Sequence, residues 1–401
     1  MQKAILHGGL LSSTTSTIWL ATGIAAAAVG SFLIIRYNSI PGPHSSSISL
    51  TNKPSTSEAV RPNFTVKGPF NMGEVRVSKI LVHPIKSCRG TSVSEARYTP
   101  IGIENDRKWC IIDVKNNKIL TAREISKMVL IEPYLHYDGT SPFGGELIVT
   151  VPTGVDTTSF RVPIQPTPEI LSSWTIIDKC SLFGQTDIDG YVCQAVNAAD
   201  PSPSEILSKY MCKDVHLIMK GPRARPCDPT PLFPNLEARG VFQDGYPLLV
   251  ASEESLEAVG SAIRDAATGT SEALGGIGGM DRERWKDENI EIERFRPNIV
   301  LKGAGIPFAE DAWRKITVGT SQSDESKSIS LVSKCTRCLL PNVDVKTGIR
   351  DAAVPYKVMM KIRSGVDVDN MNKACFGCNG VPGGSGVVRV GDTVHVQEWV
   401  I

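Results

Sequence analysis

"KCTRCLLPNVDVKTG", residues 334–348, sets Cys335 and Cys338 three apart, with Arg337 between them, at the end of an apolar strand-like run. A second pair, Cys375 and Cys378, lies in "KACFGCNG" at 373–380. Two CxxC pairs allow a zinc site, a disulfide, a redox pair, or one reactive thiolate with bystanders. The 36 residues between Cys338 and Cys375 exceed the ribbon spacing of about 15–20. A thioredoxin-like pair fits poorly, because Leu339-Leu340-Pro341 follows where a helix would be needed. Cys338 stands apart from the other three. Arg337 adjoins it, a guanidinium favours a thiolate, and Pro341-Asn342 predict an exposed loop after a strand. Buried, unligated sulfur remains open for Cys335, Cys375 and Cys378.

Composition narrows the class. The 401 residues allow two domains plus extensions. Charged residues make up 21%, and the net charge of +1 provides no basic field for nucleic acid. Ten cysteines in this length are too dilute for a disulfide scaffold, so reduced thiols facing the cytosol are expected. The six histidines form no HxxxH or HExxH pair, and P-loop, G-x-S-x-G and helix-leading G-x-G-x-x-G motifs are missing.

Ile18–Ile35 runs 18 residues without a charge, the lower limit for a membrane-spanning helix. Lys3 precedes it, whereas Arg36, Lys53, Arg61 and Lys67 follow. An uncleaved anchor over residues 1–37 is expected, with the rest of the chain in the cytosol. Residues 38–73 read as a flexible tether rich in Ser, Pro, Thr and Asn.

Short alternating runs then begin: "EVRVSKILVHPIKSC" (74–88), "RKWCIIDV", "KILTARE", "MVLIEPYLH" and "GELIVTVP". Regular short strands with turn signals predict a β-barrel module over 74–190. A second β-rich module follows over 191–401, with a polar, glycine-rich surface insertion at about 265–290. Within it, Ser252 caps a predicted helix whose Leu256, Val259 and Ile263 share one face. Gly391-Asp392 marks a turn between two alternating runs in "VVRVGDTVHVQEWV". The fold class is mostly β with some α.

Three polar constellations could hold an anion. Lys86 and Ser87 end one strand, and Arg107 begins another, a combination suited to phosphate or to a barrel-closing salt bridge. Arg296 and Asn298 flank Pro297 and point to one side of an extended segment. Arg223 and Arg225 sit in a proline-rich loop and could reach an anion or stay solvated.

In order, "VHPIKSC", "DRKWCIID", "LTARE", "FRPNIVL", "CTRCLLPNVDVKTG" and "VRVGDTVHV" resemble the MOSC family, the molybdenum cofactor sulfurase C-terminal type. Within it they are similar to the mitochondrial amidoxime-reducing type. One fragment would be weak, but six in register cover about residues 74–401. The resemblance implies Mo-molybdopterin bound between two β-rich modules, with Cys338 as the metal ligand. It further implies that Lys86, Ser87, Arg107, Arg296, Asn298, Thr336 and Arg337 hold the pterin and its phosphate. Asn379 of "FGCNG" takes a position on the pocket floor where a reductase can carry Tyr.

The resemblance also implies reduction of N-hydroxylated compounds, amidoximes and hydroxylamines, to N–H products. Electrons would come from cytochrome b5 and its NADH-dependent reductase, since no plant-type C-x4-C-x2-C motif is present. Anchoring in the mitochondrial outer membrane, facing the cytosol, is expected. Two competing expectations are a non-catalytic carrier of the cofactor and a zinc-stabilised, membrane-tethered scaffold.

Overall fold

The computed structural model describes residues 64–319 and 327–400. The expected anchor over residues 1–37 and most of the tether lie outside them; the described end of the tether is held on the fold by Phe64 against Phe308 and Phe70 against Trp399. Among the described residues, no helix is long and apolar enough to cross a membrane. These residues belong to one compact unit, built from twenty mostly short strands and five α-helices.

Alternation decides the strands. In Gly145–Thr153, Leu147, Val149 and Val151 face the core while Ile148 and Thr150 face outward, the period of two that a half-buried strand requires. Trp109–Asp113 is buried at every position because it pairs with Val215–Lys220 and packs on both faces. The helix Glu253–Thr268 starts where the Ser252 side chain accepts from Ser255 N. It ends at Gly269, whose φ of 76° suits glycine, and it buries Val259 and Ile263.

The largest sheet has eight strands and mixes early and late chain. Arg76–Val82 lies between Thr91–Val93 and Ile299–Lys302. Leu248–Ser252 joins Ile299–Lys302 in parallel and Cys375–Pro382 in antiparallel pairing. Ser328–Thr336 pairs with Cys375–Pro382 and Trp313–Val318. The sheets therefore interleave across residue 190: Gln185–Val192 straddles it, and Val215–Lys220 pairs back with Trp109–Asp113.

Three local expectations differ. "KILTARE" forms turns with isolated bridges at Lys118 and Ile119, because its residues fold back around Thr121. The runs flanking Gly391-Asp392 do not pair with each other. Gly386–Arg389 pairs with Glu95–Thr99, and Val394–Trp399 with Trp313–Val318. Finally, 265–290 is not a mere surface insertion. Its Leu274, Ile277 and Trp285 are buried under the long helix, and Trp285 Nε1 donates to Asp351 at 2.8 Å.

Candidate functional site

The nine residues that the family resemblance implicates line one cavity of about 1090 Å³: Lys86, Ser87, Arg107, Arg296, Asn298, Thr336, Arg337, Cys338 and Asn379, whereas Arg223 and Arg225 do not line it. Three of them, Ser87 (φ 67°), Arg107 (φ 50°) and Arg296 (φ 58°), hold left-handed backbone conformations. Such a conformation costs a non-glycine residue on the order of 1–3 kcal/mol and concentrates where side chains must be aimed. The surrounding hydrogen bonds enforce it. Arg107 N donates to His83 O at 2.7 Å, and Lys86 N donates to Trp109 O at 2.8 Å.

Cys338 follows the end of the strand Ser328–Thr336 and precedes a short helical turn at Leu340–Asn342. Its thiol is half-exposed and accepts from Leu340 N at 3.4 Å. Arg337, its sequence neighbour, turns elsewhere: Nη1 donates to Cys335 Sγ at 3.1 Å and Nη2 to Phe295 O at 2.8 Å. The cation that acts on Cys338 is Arg123. Burial works against the Arg123 charge, but Asp244 and Cys338 outweigh it and raise its pKa. Arg123 stands in "LTARE", and no local signal in that run marks it as a site residue.

The cationic end is crowded. Arg107 donates to both oxygens of Asp106, at 2.7 and 2.6 Å, and to Arg296 O at 3.0 Å. Burial works against the Asp106 carboxylate, but Arg107 and His83 together overcome it and lower its pKa to about 2. Arg296 Nη1 donates to Cys88 O at 2.6 Å. Burial, then repulsion from Arg107, lowers the Arg296 pKa to about 9. Lys86 is 3% exposed and donates to Phe242 O at 2.7 Å and to Asp244. Burial lowers its pKa, with Asp244 opposing. Asp244 opens into the cavity, its side chain 60% exposed. It bridges Lys86 and Arg123, which outweigh the hydration lost inside the cavity and push its carboxyl well below the usual range.

Two candidate groups also brace the fold. Asn298 is 1% exposed; its Oδ1 accepts from Leu249 N at 3.1 Å and its Nδ2 donates to Leu81 O at 3.3 Å. It joins three strands, and this commits most of its polar capacity to backbone. Arg225 braces the Asp244 loop, donating to Gln243 O at 2.8 Å and Asp244 O at 3.2 Å, while Arg223 pairs with Asp187 at the surface. Asn379 Nδ2 donates to Ser333 Oγ at 2.9 Å on the cavity floor. All ten cysteines are free thiols, and the described residues contain no group of three or more His, Cys, Asp or Glu able to hold a metal. The two CxxC pairs are not gathered into such a group, and Cys375 and Cys378 lie within one strand of the large sheet.

Residues 74–200 match the MOSC N-terminal beta barrel domain, and residues 237–395 match the MOSC domain. The chain is a MOSC-domain protein. Curated relatives of this MOSC-domain protein include mitochondrial amidoxime-reducing component 1 of Mus musculus. It is 28% identical over 332 residues, covering 80% of this chain and 82% of the relative. Mitochondrial amidoxime reducing component 2 of Homo sapiens is 28% identical over 292 residues, 72% of each chain. The molybdenum cofactor sulfurase of Danio rerio is 26% identical over 301 residues, 72% of this chain but 30% of that larger protein.

Proposed function

We propose that this MOSC-domain protein is a molybdenum-cofactor-dependent reductase of N-hydroxylated compounds, amidoximes and hydroxylamines among them. The observation that carries it is a half-exposed thiol, Cys338, at the same end of one cavity as Lys86, Arg107, Arg123, Arg296 and Arg337. Relatives named for amidoxime reduction and for molybdenum cofactor sulfuration support the same reading.

The donor set fits the cofactor. A thiolate is a soft ligand suited to a sulfur-bound metal, and guanidiniums suit a phosphate. Arg296 Nη2 and Arg337 Nε are buried without a hydrogen-bond partner among the described residues, and buried donors are costly to leave unmade. An anionic ligand would satisfy them and relieve the mutual repulsion of Arg107 and Arg296. Cys338 would ligate the metal, while Lys86, Ser87, Arg107, Arg296, Thr336 and Arg337 would hold the pterin and phosphate, with Asn379 on the floor.

When bound, the cofactor supplies the two-electron change that, with two protons, converts N–OH to N–H and water. The chain does the rest. The Leu340 amide orients the Cys338 sulfur, Asp106 holds the Arg107 fork, and Asn298 keeps the strands behind Arg296 in register. Electrons come from cytochrome b5 and its NADH-dependent reductase, and the N-terminal segment anchors the protein at the mitochondrial outer membrane. Elemental analysis of the purified protein, followed by benzamidoxime reduction with the cytochrome b5 chain, tests this. Expected are one molybdenum per chain and turnover; bound molybdenum without turnover on any N-oxygenated substrate leaves a cofactor carrier instead.

A further inference from the structure

The cavity holding Cys338 continues well beyond the cationic residues. It follows the strand Ser328–Thr336 back to Leu331. At about 3.3 Å per residue, Leu331 lies about 16 Å along the strand from Thr336. The lining changes character along this path. Near Leu331 the lining includes the half-buried Val66 and Leu232 over the core side chains Leu248, Trp313 and Leu331, each no more than 2% exposed, with Lys67 and Lys334 also on its wall. The Asn379–Ser333 pair lies between this apolar lobe and the cationic end, because Ser333 and Asn379 are cross-strand partners.

Two irregular segments roof the lobe. One carries Leu232: Thr230 Oγ1 donates to Val332 O at 2.9 Å and pins that loop over the middle of the strand. The other is the stretch entering the fold, whose Thr65, Val66, Lys67 and Gly68 line the cavity. It is fastened at both ends. Arg363, fully buried and paired with Asp311, donates to Phe64 O, and the Phe64 ring lies 5.7 Å from Phe308. The Phe70 ring meets Trp399 edge-on at 4.9 Å.

A pterin is rich in donors and acceptors and needs polar partners, which the cationic end holds in excess. The roof of the lobe offers accessible hydrocarbon from Val66 and Leu232 over an apolar core, which rewards a neutral, extended apolar group. We propose that the lobe binds an apolar chain, the tail of a substrate whose reactive head lies at Cys338. Only the identity of that head rests on the reductase reading. The substrates favoured are then long-chain or extended aryl N-hydroxylated compounds, and the strap at 64–70 is part of the binding site.

The test compares two neutral probes, octanamide and acetamide, by calorimetric titration of the full chain. Octanamide is expected to bind at least about 50-fold more tightly, since each buried methylene adds affinity. Filling the lobe from either roof, by Val66→Trp or Leu232→Trp, is expected to cut that preference to about 5-fold or less. Both positions are half-buried and outside the cationic end, and two independent walls guard against one variant misfolding. Equal binding of the two probes, or a preference that survives both substitutions in folded protein, overturns the proposal. Benzamidoxime turnover is measured in parallel. Turnover without an octanamide preference removes the lobe and leaves the reductase; an octanamide preference without turnover does the reverse.

Discussion

Arg337 Nη1 lies 3.1 Å from the sulfur of Cys335, so the guanidinium next in sequence to Cys338 serves the other cysteine. Its second arm reaches Phe295 O, and the guanidinium carbon sits 5.6 Å from the Phe295 ring centre. Arg337 thus ties the Cys338 loop to the segment carrying Arg296. The guanidinium that interacts with the Cys338 side chain belongs to Arg123, more than 200 residues earlier.

Arg123→Ala is therefore expected to slow alkylation of Cys338 by iodoacetamide at pH 7 by roughly three-fold or more, because a neighbouring cation promotes the reactive thiolate. Arg337→Ala should alter that rate less while lowering stability by about 1–3 kcal/mol, through the loss of two partly buried hydrogen bonds. Mass spectrometry of the Cys338 peptide and urea unfolding read the two effects separately. A larger rate effect from Arg337 would reverse the assignment.

Replacing the sulfur itself separates ligand from neighbour. Cys338→Ser is expected to lower molybdenum content roughly 10- to 100-fold with a melting temperature close to that of the unsubstituted protein, because the side chain is half-exposed. Cys335→Ser should retain the metal. Plasma emission analysis of both proteins decides between them, and full metal content in Cys338→Ser contradicts the ligand role.

Asn298 is expected to act through the fold. Asn298→Ala strips Leu249 N and Leu81 O of their side-chain partner, with an expected cost of about 1–3 kcal/mol. Unfolding midpoints should fall, with cofactor loss following in proportion. Cofactor loss at unchanged stability would mean that Asn298 contacts the ligand directly.

A pH dependence should arise away from the site. Glu310 is fully buried and accepts from Ser252 at 2.9 Å and Ser255 at 2.8 Å. Burial, then Asp311, raises its pKa from 4.5 to about 7. Between those values the folded protein keeps a proton that the unfolded chain gives up. Its contribution is therefore full below pH 4.5 and is lost as pH rises through 7. Denaturant unfolding of the wild type and Glu310→Gln at pH 5 and pH 8 should show the difference between them shift by about 1–3 kcal/mol, in favour of the variant at pH 8. A pH-independent difference would remove Glu310 as the source.

Much of the architecture is written locally. Alternation in Gly145–Thr153, the Ser252 cap and the break after Cys338 depend on neighbours two to four residues apart, so the residue order alone specifies them. The family motifs likewise marked nine residues that line one cavity. The partners of those residues are not local. Asp244 meets Lys86 and Arg123 from more than 100 positions away, and Arg76–Val82 finds Ile299–Lys302 across more than 200. Trp285 is buried under a helix although its own stretch is polar. Which way Arg337 turns, and which strands flank Gly391, were settled by long-range pairing, because side-chain direction follows the sheet that a strand joins and no short window of sequence contains that sheet.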